Sequence, residues 1–440
     1  MNLWFLLGRM RNDVHRRGHA IVPHSLFFSA LMLLTCSVSC SDEVDDPTSR
    51  AEMPAEQAFL TGLPVVRITT PDSVDIRSKT EWTENADVEI IAPDGMSLLH
   101  GKTWIRGRGN VTWKRYPKKP YSLKFNEKVS LFGMPASKRW VLLANWVDRT
   151  LLRNDVAFEV ARRTSLAWTP QGRAVELILN GKFRGQYYLC EKIKVEKHRV
   201  NIDEMSSADN EGRALTGGYL LELDSYFDEQ NKFRSAKFEL PYQFRSPDDE
   251  ELTSEQFNYM QNYIEAMELA LADSSRLVRG DYEQWLDPVS LADWWIVNEL
   301  VYNKEVGRPK SVYVYKPRGD RLYFGPVWDY DWATFTSHTS LYVARHFPYL
   351  KVLFKTERFT RLAKERWLLL RDTLSTIPAY IDRKADDTRL SNEINHQMWP
   401  IKHTTSNHDE KLSFDEAIER MKDAYMMRMK VIDSFFETVD

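Results

Sequence analysis

Cysteine is almost absent from this chain of 440 residues, which contains only Cys36, Cys40 and Cys190. Two of the three lie near the N-terminus, so the rest of the chain has a single thiol. A disulfide framework and a thiolate metal site are therefore both excluded. Stability must come from a hydrophobic core instead, and 43% hydrophobic residues in a chain of this length are sufficient to build one.

Net positive charge is also lacking, since the formal charge is -3 at pH 7. Binding along a phosphate backbone needs net or strongly clustered positive charge, so nucleic acid is not expected as a partner. The sequence has no His-Glu-x-x-His, Gly-x-x-x-x-Gly-Lys-Ser/Thr, Gly-x-Ser-x-Gly or Cys-x-x-Cys motif. These absences exclude the common zinc-protease, P-loop, α/β-hydrolase and zinc-ribbon interpretations.

The apolar stretch near the N-terminus, residues 25–34, is too short to cross a bilayer as a helix. It follows a region with four arginines and precedes small residues that lead to Cys40. This order is typical of an export signal, so residues 1–40 are predicted to be a lipoprotein signal peptide with Cys40 as the lipid anchor. Cys36 is an alternative anchor, and simple secretion and a start at Met10 also stay open.

Residues 41–62 are acidic and rich in turn-forming residues, which predicts a disordered linker. The segment directly after Cys40 resembles the tether of bacterial lipoproteins, particularly those of Bacteroidetes. We therefore expect an exported protein that is lipid-anchored in the cell envelope, with the outer membrane as the expected location. The folded domain is predicted to occupy residues 63–440.

Hydrophobic periodicity divides this domain into two parts. Alternating β-branched runs separated by turn residues predict a β-rich half at about 63–225, including a hairpin at Asn180-Gly181. Beyond residue 250 the spacing becomes helical, which predicts a helical half at about 250–440 with one short strand pair. The helices are predicted at 148–163, 253–275, 287–302, 355–383 and 413–437. The fold class is therefore α+β.

One stretch of the β-rich half, from Lys102 to Asn126, contains eight basic residues and no acidic one. Within it, Arg106 and Arg108 alternate with glycines. Glycines allow the backbone to approach a ligand closely, and arginines donate charge-assisted hydrogen bonds to phosphate or carboxylate groups. A glycine-containing strand turn with solvated arginines is the alternative.

A second stretch, Gly325 to Trp332, contains Asp329 and Asp331. In an extended segment, residues two apart lie on the same side, so both carboxylates would face one ligand. Hard oxygen ligands suit Mg²⁺ or Mn²⁺. Turn or capping roles for the two aspartates are the alternative.

Six motifs resemble those of the CotH family in their residues and in their order along the chain. They lie at Arg106–Phe125, Leu143–Asn154, Val175–Gly181, Gly185–Ile193, Gly217–Glu222 and Gly325–Trp332. The resemblance extends over roughly residues 65–438. Family members in spore coats resemble secreted kinases that phosphorylate partner proteins with ATP and a divalent metal.

The resemblance implies a protein-kinase-like, two-lobed fold with a nucleotide between the lobes. It implies ATP and Mg²⁺ or Mn²⁺ as cofactors and Ser or Thr of a surface or envelope protein as the acceptor. The motifs carry over roles for individual residues. Nucleotide binding is implied for Arg106, Arg108, Lys119 and Glu191, and metal binding for Asp329 and Asp331. A strand-end ion pair is the alternative for Glu191.

The catalytic element departs from the family pattern. Family members have an Asp as the proton acceptor and an Asn five residues later, whereas this chain has Glu305 and Lys310 at those positions. Glu305 is therefore the implied catalytic base, with one extra methylene in its side chain. Because of this departure, a catalytically inactive module that binds a partner or a glycan stays open. Glycosyl or nucleotidyl transfer at the Asp-x-Asp pair is a third hypothesis.

Overall fold

The computed structural model describes residues 53–438. The predicted leader, Cys40 and residues 41–52 lie outside the described residues. Residues 53–62, which we assigned to a disordered linker, instead belong to the folded part. Ala55–Phe59 forms a 3-10 helix, and Ala58 is fully buried among residues of the first and sixth strands. No described helix is long and apolar enough to cross a membrane.

Seven strands of the β-rich half close into a barrel, a closure that the sequence pattern did not predict. The strands are β1 (Val65–Thr69), β2 (Thr83–Ile91), β3 (Ser97–Gly107), β4 (Tyr121–Val129), β5 (Ser137–Leu143), β6 (Gly172–Leu179) and β7 (Lys182–Glu191). They follow the order β1-β2-β3-β4-β5-β7-β6, and β1 closes the ring by pairing in parallel with β6. Alternate side chains such as Ile68, Ile105 and Leu189 fill a common core.

The predicted hairpin at Asn180-Gly181 is confirmed and joins β6 to β7. Both turn residues have positive φ angles, 50° for Asn180 and 72° for Gly181. A two-residue type I′ turn requires positive φ at both positions, and Asn and Gly tolerate it best. The local sequence is therefore sufficient to specify this turn.

A second, five-stranded sheet joins the two halves of the chain. It contains β8 (Tyr219–Leu223), β9 (Lys232–Arg234), β10 (Pro241–Ser246), β11 (Val312–Lys316) and β12 (Tyr323–Phe324). Their order is β12-β11-β8-β10-β9. Strands β11 and β12 come from the helical half, and β11 pairs antiparallel with β8 so that Tyr313 lies opposite Glu222. The predicted strand pair is thus part of a larger sheet.

Helices make up most of the second half, as predicted, and the α+β class is confirmed. The helices are α1 (Val111–Arg115), α2 (Arg153–Arg162), α3 (Gly212–Leu215), α4 (Ser254–Ala272), α5 (Ser274–Arg279), α6 (Pro288–Leu300), α7 (Val343–His346), α8 (Pro348–Leu353), α9 (Glu357–Leu374), α10 (Ile377–Met398) and α11 (Phe414–Glu437). The prediction of a single helix at 355–383 is wrong, because α9 ends at Leu374 and α10 begins at Ile377 with Pro378 in its first turn, and a proline there cannot continue α9. The kinase-like, two-lobed arrangement stays a prediction.

A buried ion pair lies in the core of the helical half. Arg428 of α11 and Glu299 of α6 are both fully buried, with 2.5 Å between Nη2 and Oε1. The arginine also donates to the Glu299 backbone oxygen and to the His338 and Ser340 oxygens, while the Glu299 carboxylate accepts the Tyr342 N–H. The pair therefore fixes the loop before α7 against two helices.

We expect Arg428→Met to lower the free energy of unfolding by about 3–5 kcal/mol, because it leaves the Glu299 carboxylate buried without its cation. Arg371→Met is the matched control. Arg371 pairs with Asp433 while 46% exposed, so its loss should cost less than about 1 kcal/mol. Urea unfolding of both variants measures the difference, and equal losses would contradict this account.

Candidate active site

A cleft of about 1110 Å³ is lined by residues of the barrel and of the second sheet. Strands β3 and β5 line one side, and strands β8 and β10 line another. The turn after α6 and the loop after β12 complete the lining. The cleft therefore brings together segments that are as far apart in sequence as residues 79 and 332.

Five of the seven site residues predicted in the described part line this cleft, namely Arg106, Arg108, Glu305, Asp329 and Asp331. Lys119 and Glu191 are not among the lining residues. Lys119 donates to the Trp113 carbonyl oxygen at 2.7 Å. Glu191 accepts the Gln171 N–H at 3.0 Å and lies 3.6 Å from Arg199. The geometry thus does not favour the predicted nucleotide contacts of these two residues.

Three of the predicted residues form what we call the acidic end of the cleft, together with Asp224 of the loop after β8. Glu305 lies in a 3-10 turn after α6, where the Asn303 side chain accepts the Glu305 N–H at 3.0 Å. Asp329 and Asp331 lie on the loop after β12. Asp329 has a φ angle of 68°, which is unfavourable for a residue with a Cβ atom. Such strain is maintained only where surrounding contacts fix the backbone.

Those contacts come from side chains distant in sequence. The Asn154 Oδ1 accepts the Tyr330 N–H at 2.7 Å, and the Asn407 Nδ2 donates to the Asp331 backbone oxygen at 2.7 Å. The guanidinium of Arg153 donates to the Thr334 carbonyl oxygen. The loop is therefore hydrogen-bonded to α2 and to the segment before α11.

Arg153 is itself only 1% exposed and carries two ion pairs. Its Nε lies 3.1 Å from the Asp148 Oδ1, and its Nη2 lies 2.6 Å from the Asp409 Oδ2. Asp148 also accepts the Arg153 backbone N–H at 2.9 Å. Asp148 therefore accepts a backbone N–H at the start of α2, and Asp148 and Asp409 together pair the Arg153 guanidinium.

The carboxyl groups of the acidic end have raised pKa values. Burial, and then the charge of Asp329, raises the pKa of Glu305 to about 7 against the opposing effect of Lys310. Burial also raises the pKa of Asp329, while Arg108 and Lys310 oppose the shift. The pKa of Asp331 lies well above its usual range, because of burial and then Asp329. The carboxylates would therefore be stabilised by a further cation.

The acidic end fits a divalent cation that has additional ligands. Within residues 53–438, no group of three or more His, Cys, Asp and Glu side chains is arranged to hold a metal. Asp329 and Asp331 both line the cleft, two residues apart on one loop. Mg²⁺ is commonly bound by one or two carboxylates and completed by water and substrate phosphates. This pair meets that requirement.

Positive charge also gathers in the lining, in a group that we call the basic end and define as Arg106, Arg108 and Lys192. Arg106 lies 4.4 Å from the Trp82 ring centroid, and its Nε is buried with no hydrogen-bond partner among the described residues. Arg139 lies 5.2 Å from the same ring centroid. The arrangement leaves donors available to an anionic ligand.

The glycines beside the arginines have a packing role. A Cβ atom at Gly107 would overlap the Trp113 ring, and one at Gly109, where φ is +84°, would overlap the Thr112 hydroxyl. The close approach inferred from these glycines is therefore an approach of side chains from α1. The missing Cβ atoms at Gly107 and Gly109 let Trp113 and Thr112 pack against the end of β3, where Arg106 and Arg108 line the cleft.

Lys192 is one of the cationic lining residues that the sequence patterns did not indicate. It follows the last residue of β7, and its side chain is exposed within the cleft. The surrounding protein nevertheless removes much of the hydration of its ammonium group. This burial, and then the positive charges of Arg139, Arg245 and Arg106, lower the pKa of Lys192 to about 7. The available signal was its position at the end of a strand in the Gly185–Ile193 motif.

Lys118, the neighbour of Lys119, has a structural role. Its buried Nζ donates to the Ala144 oxygen at 2.9 Å and to the Asn395 Oδ1 at 2.7 Å, and also to the Gln186 oxygen. These contacts join the barrel to α10. The Pro-Lys-Lys-Pro motif therefore places one lysine inside the fold.

Comparison with known families gives one match. The family described as CotH kinase protein matches residues 105–432, which is well over half of the chain. The matched region includes most of the cleft lining, from Arg106 to Trp332. No curated protein matches the chain.

We expect NMR titration of labelled lysine side chains to give Lys192 a pKa of about 7. Added sulfate should raise this pKa, because a bound anion favours the ammonium form. Arg106→Met should raise it as well, since a nearby positive charge is removed. Lys192→Met identifies the signal, and the exposed Lys194 is the internal control. A pKa of about 10.4 for Lys192, the ordinary lysine value, would contradict the convergence of cations.

Proposed function

The chain belongs to the CotH kinase family, and we propose that it transfers the γ-phosphoryl group of ATP to a Ser or Thr hydroxyl of another protein. The observation that carries this proposal is that one cleft is lined both by the cations of the basic end and by the carboxyl groups of the acidic end. Phosphoryl transfer needs cations along the triphosphate, and carboxylates for the metal and for the attacking hydroxyl.

Each end then has its own part in binding. Arg108 and Lys192 donate to phosphate oxygens, and Arg106 adds positive charge, with an Nε that has no hydrogen-bond partner among residues 53–438. Asp329 and Asp331 hold Mg²⁺ or Mn²⁺, which when bound neutralises charge on the phosphate oxygens. Both aspartates line the cleft, and the Asn154 and Asn407 side chains hold the backbone on the C-terminal side of Asp329.

Glu305 is the proposed base. As the acceptor oxygen attacks the γ-phosphorus, the bond from phosphorus to ADP breaks, and the hydroxyl proton moves to the Glu305 carboxylate. A pKa of about 7 suits this role near neutral pH, since the group is both partly ionised and sufficiently basic. The capped turn and the contact with Lys310 restrict the longer Glu side chain to one position.

The predicted leader supports the rest of the proposal. Residues 1–40 with Cys40 would export and anchor the protein, and a surface or envelope protein would then be the acceptor. We propose the outer membrane as the location, on the basis of the resemblance of residues after Cys40 to lipoprotein tethers.

A second candidate function is a catalytically inactive binding module. The Lys310 Nζ lies 2.7 Å from the Glu305 Oε1, so in the free protein the proposed base is already paired. A chain in which this pair persists would bind a nucleotide or a partner without transfer. The two candidate functions use the same cleft but differ in whether the chain transfers a phosphoryl group.

We expect calorimetry of the full-length chain to show ATP binding that depends on Mg²⁺ or Mn²⁺. Asp329→Asn should weaken this binding at least about tenfold, because it removes one of two carboxylate ligands. Asp94→Asn is the matched control, since Asp94 lies in an exposed turn and should leave affinity unchanged. Absence of binding with either metal would refute the kinase proposal and favour the binding module.

We expect Glu305→Gln to keep ATP affinity within about threefold but to lower phosphoryl transfer about 10²- to 10⁴-fold, because the amide accepts no proton. Phosphoserine or phosphothreonine formed on envelope proteins, measured by mass spectrometry, is the readout, and the mass of the product excludes nucleotidyl or glycosyl transfer. Unchanged transfer in this variant would remove Glu305 from the mechanism. Transfer gained only in Glu305→Asp would identify the natural chain as a weakened kinase.

A further inference from the structure

Lys310 occupies an ordered position inside the acidic end. Its Nζ lies 2.7 Å from the Glu305 Oε1, and Glu305 is only 8% exposed. The same Nζ lies 5.2 Å from the Tyr226 ring centroid and 5.3 Å from that of Trp332. An ammonium group held by a nearly buried carboxylate and by two aromatic rings is part of the site, because each contact restricts its long side chain.

The charge of this lysine acts on several carboxyl groups. It lowers the pKa values of both Glu305 and Asp329, while Glu305 and Asp224 favour the ammonium form of Lys310. Arg108 is the other cation that stabilises the carboxylates of Asp329 and Asp331. Lys310 therefore compensates the Glu305 side of the acidic end, and Arg108 compensates the aspartate side.

The geometry restricts how many metal ions can enter. No three carboxyl groups in the described part of the chain are close enough to hold one ion. The Asp329 and Asp331 side chains both line the cleft, whereas the Glu305 Oε1 already accepts a hydrogen bond from Lys310. A second divalent ion bound to Glu305 would therefore have to displace an ammonium from its carboxylate.

We propose that Lys310 is a built-in cation that takes the place of a second divalent ion, so that this chain uses a single divalent ion with its nucleotide. The inference rests on the proposed function and specifies the cation requirement of the same site. During transfer, the acceptor O–H bond breaks and its proton moves to Glu305. The neutral carboxyl group then holds Lys310 less strongly, so the ammonium, which stays protonated, becomes available to the phosphate oxygens.

The test counts Mn²⁺ ions bound to the full-length chain by equilibrium dialysis with a saturating, non-hydrolysable ATP analogue. We expect one ion in the natural chain and in Lys310→Arg, which keeps the charge. Lys310→Met should bind two ions, because a positive charge within contact distance of Glu305 is removed. Its affinity for the second ion should exceed that of the natural chain, at any Mn²⁺ concentration where the latter becomes measurable, by at least about tenfold. Lys304→Met is the control and should bind one ion, since Lys304 is outside the cleft lining.

Two outcomes would overturn the inference: two ions in the natural chain, or one ion with unchanged affinity in Lys310→Met. The first needs no variant, so it stays decisive if Lys310→Met does not fold, and Lys310→Gln is a second neutral variant. Failure of the natural chain to bind the analogue with Mn²⁺ would refute the proposed function as well. One ion in every variant would refute only the role of Lys310.

Discussion

The acidic end of the cleft depends on one buried guanidinium group, that of Arg153. A buried charge is tolerated only with full pairing, and Arg153 achieves this with Asp148, Asp409 and the Thr334 carbonyl oxygen. These partners come from the end of the barrel, the segment before α11 and the loop after β12. Because the three segments must meet at one side chain, the loop that carries Asp329 and Asp331 cannot move independently of α2.

The cleft contains backbone strain and charged groups without full compensation, and a surface with only a structural role would avoid both. The positive φ angle of Asp329 stores backbone strain, and the raised pKa values of Glu305, Asp329 and Asp331 show that their charges are not fully compensated. At the basic end, the lowered pKa of Lys192 and the Arg106 Nε, which has no partner among the described residues, show that positive charge lacks compensating negative charge. A metal-bound polyphosphate would relieve both deficits, which is the physical basis of the proposed kinase activity.

Sequence patterns and the family resemblance pointed to residues that the fold brings to one cleft, while the roles of these residues stay predictions. Arg106, Arg108, Glu305, Asp329 and Asp331 reach one cleft. The lysines were harder to assign from the sequence. The motif suggested Lys119 as a nucleotide contact, whereas it is Lys192 that lines the cleft with an exposed side chain. Lys118 is buried and joins the barrel to α10. Which of several lysines faces a ligand depends on strand register and on the helices that cover each face, and neither is encoded locally.

By itself, the sequence determined the elements with a local cause: the Asn180-Gly181 turn, the helical periodicity beyond residue 250, and the α+β class. Only the tertiary structure decided the closure of the barrel and the sharing of the second sheet between the two halves. It also placed Asp148, Arg153, Thr334 and Asp409 in one network. Local preferences arise from backbone sterics and side-chain spacing within a few residues, whereas these contacts are selected by the burial of surfaces that are hundreds of residues apart.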